Sequence, residues 1–146
     1  MAHSHTSILI HAVFATKERC PMIPAELVER LWAFSGGIAI QNGMVALAVG
    51  GTTNHMHVLL SLPATMPVAK AVQLVKAGSS KFLNENMKAR FEWQQGYGAF
   101  TVSVSQKEVT AAYIRGQAEH HRKVDFAEEY RAFLAKHGIV LEFNRP

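Results

Sequence analysis

An α+β fold is predicted for this chain, with four antiparallel strands and two helices alternating as β-α-β-β-α-β before further helices. Three observations carry that expectation. Four runs are alternating or continuously apolar at strand length, two longer runs repeat apolar residues at helical spacing, and turn residues separate them. The chain has 146 residues, 49% of them hydrophobic and 18% charged, which suits one globular domain spanning 1–146. There are no repeats, low-complexity stretches or interdomain linkers.

The first strand is TSILIHAVF, residues 6–14. One face carries Ile8, Ile10, Ala12 and Phe14, and the other Ser7, Leu9, His11 and Val13. A polar connection, 15–23, leads to a helix whose apolar face is Leu27, Leu31, Phe34 and Ile38. Pro24 suits its first turn, Gly43 its stop, and Gly36-Gly37 weakens its second half. MVALAV, residues 44–49, is the second strand, and GGTTN, 50–54, has turn chemistry. HMHVLLSL, 55–62, then returns as the second arm of a hairpin. The second helix covers 67–88, with Val68, Val72, Val75, Phe82 and Leu83 on one face. After a loop over 89–98 comes the fourth strand, 99–104, where Phe100, Val102 and Val104 alternate with Thr101 and Ser103.

Ser105 and Glu108 have the spacing of a capping box, opening a third helix. Asp125 and Glu128 repeat it for a fourth over 126–136, which Gly138 ends. The order is that of a ferredoxin-like split βαβ with helices on one face of the sheet. Many functions use that fold, so activity has to be sought in particular residues.

The net charge is +4. Between His55 and Lys107 lie six basic residues (Lys70, Lys76, Lys81, Lys88, Arg90, Lys107) and two acidic ones (Glu85, Glu92). Such an excess suits a polyanion such as nucleic acid, and equally a solvated lysine-rich helix face. No stretch approaches the ~18 apolar residues of a membrane span. The N-terminal segment lacks a basic n-region, so no signal peptide is expected and a cytoplasmic protein is. A single cysteine, Cys20, excludes an internal disulfide and a cysteine-based zinc site.

The informative stretch is GGTTNHMHVLLSLP, residues 50–63. Residues two apart on a strand share a face, so His55 and His57 project together, about 7 Å apart. Met56, Val58, Leu60 and Leu62 point the other way, beneath the helices. Two imidazoles on a rigid strand suit a divalent metal, although H-x-H is a short signal. His3 and His5 have the same spacing near the N-terminus and are assigned no function. Further candidates lie in AAYIRGQAEHHRK, residues 111–123. Tyr113 and Gln117 are at i and i+4 on one helix face. Gln117 offers an amide oxygen acceptable to a hard cation, and Tyr113 a hydroxyl that becomes a nucleophile once its proton is removed. His120 and His121 are candidate ligands too, but adjacent residues on a helix diverge, which favours surface or phosphate-contacting groups. Each residue alone reads as well as core edge or solvated surface.

Taken together, HAVFATKERCPMI (11–23), the His55-Met56-His57 stretch, WQQGYGAFTVS (93–103) and YIRGQAEHHRKVDFAEEYRAFLAKHGI (113–139) resemble the single-tyrosine HUH transposases. These are the small insertion-sequence and REP-associated tyrosine enzymes. The resemblance implies a ferredoxin-like core, Tyr113 as nucleophile, and His55, His57 and Gln117 as ligands of Mg2+ or Mn2+. It implies cleavage and rejoining of single-stranded DNA bearing hairpins, through a 5′-phosphotyrosine intermediate. It also implies a homodimer, in which the tyrosine helix can complete the partner's site, and association with the nucleoid when DNA is bound. Lys76, Lys81, Arg122 and Lys123 are candidate DNA-backbone contacts. Two other readings share these features: a non-catalytic hairpin-binding module and an endonuclease that processes REP palindromes. Asn54 stands where the family often has Asp, which bears on metal affinity. The C-terminal EFNRP, 142–146, is shorter than the aromatic tail of close relatives, so flanking DNA contacts are expected to differ.

Overall fold

A computed structural model describes residues 3–139, so EFNRP lies outside the described residues. The elements are β1 (Leu9–Ala15), α1 (Val28–Gln41), β2 (Val45–Thr52), β3 (His55–Ser61), α2 (Val68–Asn86) and β4 (Gly98–Val102). They continue as α3 (Lys107–Arg115), α4 (Gln117–His120) and α5 (Phe126–Lys136). The strands pair antiparallel in the order β2-β3-β1-β4, the arrangement expected of a ferredoxin-like core. His57 pairs with Val13, and His11 with Leu59, so His11 and His57 are diagonal neighbours on one face.

Strand alternation sorts β1 and β3 into two sets. Ile10, Ala12, Phe14, Met56, Val58 and Leu60 pack against Ala39 of α1 and Ala71, Val72 and Val75 of α2. Leu9 and Leu59 pack against Ala111 and Ile114 of α3, while Val13, Ala15 and Phe100 meet Phe126 and Leu134 of α5. The two core helices lie on one face, as expected of the split βαβ, and the additional C-terminal helices cover the other. Leu9, Val13, Leu59 and Phe100 make the second face apolar as well, and leaving it wet would forfeit roughly 1.5–3 kcal/mol for each large side chain.

Local corrections have similar causes. Pairing runs on through Gly50 and Gly51 to Thr52 opposite His55, leaving only Thr53 and Asn54 in the turn. Gly50 serves close approach instead: a Cβ there would lie 2.0 Å from the Ile114 carbonyl oxygen, so α3 rests directly on β2. Phe34 is 44% exposed and stacks on Phe82, while Ser35 takes the buried position after Leu31. The Ser105–Glu108 box does not form. Ser105 Oγ pairs with Ser103 Oγ at 2.9 Å, and a 3-10 turn over Val104–Gln106 leads into α3. The Asp125 cap does form, accepting the Glu128 N–H at 2.9 Å. No helix among the described residues is long and apolar enough to cross a membrane.

Candidate active site

The site lies between the second face and the C-terminal helices. His55 and His57 are wholly buried there, held by β3. His55 Nε2 is 2.9 Å from Gln117 Oε1, and His57 Nε2 is 2.9 Å from Glu129 Oε1. The third helix breaks at Gly116, so Gln117 begins α4 across the break from Tyr113. Tyr113 nonetheless reaches the same centre: its hydroxyl donates to Glu129 Oε2. His121 Nε2 approaches that oxygen at 3.1 Å and His120 Nε2 at 3.3 Å. Glu129, itself buried, is thus the hub of the cluster.

The outer nitrogens of the two β3 histidines have different partners. His55 Nδ1 lies 2.8 Å from Asn54 Oδ1 and 3.0 Å from Thr52 Oγ1. His57 Nδ1 lies 2.7 Å from His11 Nε2. When His55 Nδ1–H donates to Asn54, the Nε2 lone pair faces Gln117 Oε1, and two acceptors converge inside the protein. His55, His57, His121 and Glu129 each present a ligand atom within 4.8 Å of the others. Imidazole nitrogens, a carboxylate and an amide oxygen form a donor set that a divalent cation would satisfy. The residues therefore fit a metal.

The electrostatics agree. Burial, and then the neighbouring His57, push His11 and His55 down to about 3. His57 is lowered as well, again by burial first. Neutral imidazoles are the form that ligates metals. Burial works to raise Glu129, but hydrogen bonds from His57 and Tyr113 and nearby His121 hold it well below the usual carboxylate range. The Tyr113 phenol is pushed above its ordinary value by burial and by its bond to Glu129. Two clefts flank the cluster. One, of about 740 Å³, is lined by Tyr113, His11, His120, Phe133 and Gln106. The other, of about 840 Å³, is lined by Thr52, Asn54, His121, Arg122 and Asp125.

Residues 4–117 match the family model of the IS200-like transposases, most of the chain. The chain belongs to that family. It is 25% identical over 114 residues to the ISDra2 transposase TnpA of Deinococcus radiodurans, covering 73% of this chain and 81% of that one. Two solved structures share its fold. A crystal structure of a candidate transposase from Deinococcus radiodurans aligns with TM-score 0.63 at 22% identity, over 78% of this chain and 95% of that one. A REP-associated tyrosine transposase bound to a REP hairpin aligns with TM-score 0.53 at 13% identity, over 96% of this chain and 76% of that one.

Within this transposase, Tyr113, His55, His57 and Gln117 meet in one cluster. His121 joins them, against the expectation that adjacent histidines diverge. The helix ends at His120, so both rings turn toward Glu129. The basic candidates are scattered. Lys76 donates to the Gln94 and Gly96 carbonyls at 2.8 and 3.0 Å, and Lys81 is exposed, both on α2 with the sheet between them and the cluster. Arg122 pairs with Glu119 at 3.2 Å, and Lys123 is exposed beside it. His3 and His5 are exposed and lie outside any helix or strand. The sequence reading missed Glu129 and His11. Glu129 had a visible signal, a carboxylate three residues after Phe126 and four before Phe133, on the apolar stripe of its helix.

Proposed function

We propose that this IS200-like transposase cuts and rejoins single-stranded DNA with Tyr113 as nucleophile. His55, His57, Gln117 and Glu129, with His121 alongside, would hold the divalent ion, Mg2+ or Mn2+. When bound, the ion supplies polarisation of a phosphate oxygen and offsets the charge that develops there. Tyr113 Oη attacks phosphorus in line and gives its proton to Glu129 Oε2, with which it is already hydrogen-bonded. The DNA 5′ phosphate becomes esterified to Tyr113 and a free 3′-OH departs. Attack by another 3′-OH reverses the step, releases the phenol and joins new ends, with no external energy source.

One observation carries the reading: the Tyr113 hydroxyl and His57 share one carboxylate within a single chain. The same set of groups is completed either within one subunit or, in a homodimer, by the tyrosine helix of the partner. Hairpin recognition is drawn from the fold likeness to the hairpin-bound REP-associated enzyme. Arg122 lines the cleft beside Asn54 and His121, so it and Lys123 suit the scissile strand. Lys76 and Lys81 lie beyond the sheet from both clefts, and the Lys76 ammonium is already held by the Gln94 and Gly96 carbonyls.

The test uses wild type and Tyr113→Phe with single-stranded oligonucleotides from the gene's own flanks, each containing its hairpin. Mg2+, Mn2+ or EDTA is added, and an SDS-resistant protein–DNA adduct is sought. It should appear only with wild type and metal. Hairpin binding without an adduct in metal-replete buffer would instead favour a non-catalytic binding module.

A further inference from the structure

We infer that His11 is a positioning residue for the metal site, a buried imidazole that partners the outer nitrogen of His57 in either tautomer, with or without a bound cation. This rests on the metal-site reading above.

His11 is 2% exposed and sits diagonal to His57 across the β1–β3 pair. Its Nε2 lies 2.7 Å from His57 Nδ1. The ring is fixed by edge contact with Phe133, centroids 5.0 Å apart, and by wider contacts with Phe100 and Tyr113. It lines the same cleft as Tyr113.

His57 must satisfy two different demands. Without metal its Nε2 faces Glu129 Oε1, which as a carboxylate only accepts. Nε2 then carries the proton, Nδ1 is a bare lone pair, and His11 Nε2–H must donate to it. A cation instead needs the Nε2 lone pair. The His57 proton then sits on Nδ1, and His11 Nε2 must accept. A carboxylate or carbonyl in place of His11 would serve only the second state, and a lysine only the first. A neutral imidazole serves both by carrying its own proton on Nε2 or on Nδ1. The pair holds two N–H protons in either state, so the exchange changes tautomers and not charge. His55 is handled differently, since Asn54 Oδ1 and Thr52 Oγ1 face its outer nitrogen. Outer partners of ligating histidines are commonly worth about 10–100-fold in metal affinity.

Mn2+ binding to the full-length protein is measured calorimetrically for wild type, His11→Phe and His11→Gln. Phe keeps a flat ring but offers His57 nothing. Gln presents either an oxygen or an N–H. The expectation is a loss of about 10–100-fold in His11→Phe, most of it restored in His11→Gln, with metal-free melting showing that all three are folded. Long-range 1H–15N spectra of wild type need no variant to fold. They should show His57 protonated on Nε2 without metal and on Nδ1 with saturating Mg2+. Equal Mn2+ affinity in wild type and folded His11→Phe would overturn the inference while leaving the metal site intact. So would an unchanged His57 tautomer in a protein that binds Mg2+. Failure of wild type to bind either ion would remove the metal-site reading itself, and this inference with it.

Discussion

The two faces of the sheet are built by the same two strands and are equally buried, yet they differ in what holds them. Toward α1 and α2, β1 and β3 contribute six apolar side chains and no polar one. Toward α3, α4 and α5 the same strands contribute His11, His55 and His57 among Leu9, Val13 and Leu59. Every buried side-chain nitrogen and oxygen among the described residues has a polar neighbour within reach, so the second face tolerates its histidines only as a connected network. The first face should answer to volume, and the second to protons, ligands and the approach of α3.

The largest effect should come from the first face. Leu60 is wholly buried there. Leu60→Ala is expected to cost about 2–5 kcal/mol, read as a fall in Tm on the order of 10 °C. The folded fraction should keep its metal affinity. If Leu60→Ala abolished metal binding while remaining folded, the separation between the faces would be broken.

Acid should act on the second face. Burial holds His11 and His55 down to about 3 in the folded protein, against 6.5 in an unfolded chain. Between those values the unfolded state takes up protons that the folded state refuses. Their contribution is present above about pH 6.5 and is lost progressively as pH falls toward 3. Two such groups give a slope of up to about 3 kcal/mol per pH unit. Thermal melts in EDTA from pH 7.5 to 5 should show Tm falling with pH, and a flat profile would mean that these rings are not held neutral.

Which parts of this were legible beforehand follows from the range of each signal. Alternation over Ile8 to Phe14 and helical spacing over Val68 to Leu83 are local, and they gave the core elements in their order. H-x-H is local too, since strand geometry alone puts His55 and His57 on one face. His11 was opaque, and Glu129 showed only as a carboxylate on an apolar stripe, because they reach His57 across 46 and 72 residues of chain. No periodicity states which element closes over which face. Gly50 was misread as a turn residue for the same reason, because its role is set by Ile114 in a helix packed on it.

Gly50 tests that coupling. Gly50→Ala would push α3 off β2, at roughly 1–3 kcal/mol for an overpacked contact. Because α3 carries Tyr113 and leads into Gln117, the substitution should also shrink the Tm gain on adding Mn2+. Gly37→Ala is the control. Nothing lies within 4 Å of a Cβ there, so the exchange should stabilise α1 by about 0.5–1 kcal/mol and leave the metal response alone.

The smallest effects concern the surface charges, where the two faces again separate. Arg122 is 75% exposed, and so is most of its partner Glu119. Arg122→Ala should therefore change stability by less than about 0.5 kcal/mol. Its placement beside Asn54 and His121 puts it where a DNA phosphate would reach the cluster. Removing one phosphate contact lowers the salt dependence of binding by about one counterion. The slope of log K against log salt for a hairpin-bearing single strand should thus decrease by about one in Arg122→Ala. Lys76 is the contrast. Its ammonium is spent on the Gln94 and Gly96 carbonyls on the other side of the sheet. Lys76→Ala should loosen the segment before β4 and lower Tm slightly, with the salt slope unchanged. A drop in slope for Lys76→Ala and none for Arg122→Ala would mean that DNA runs over the α1–α2 face, and that the clefts beside Tyr113 are not its path.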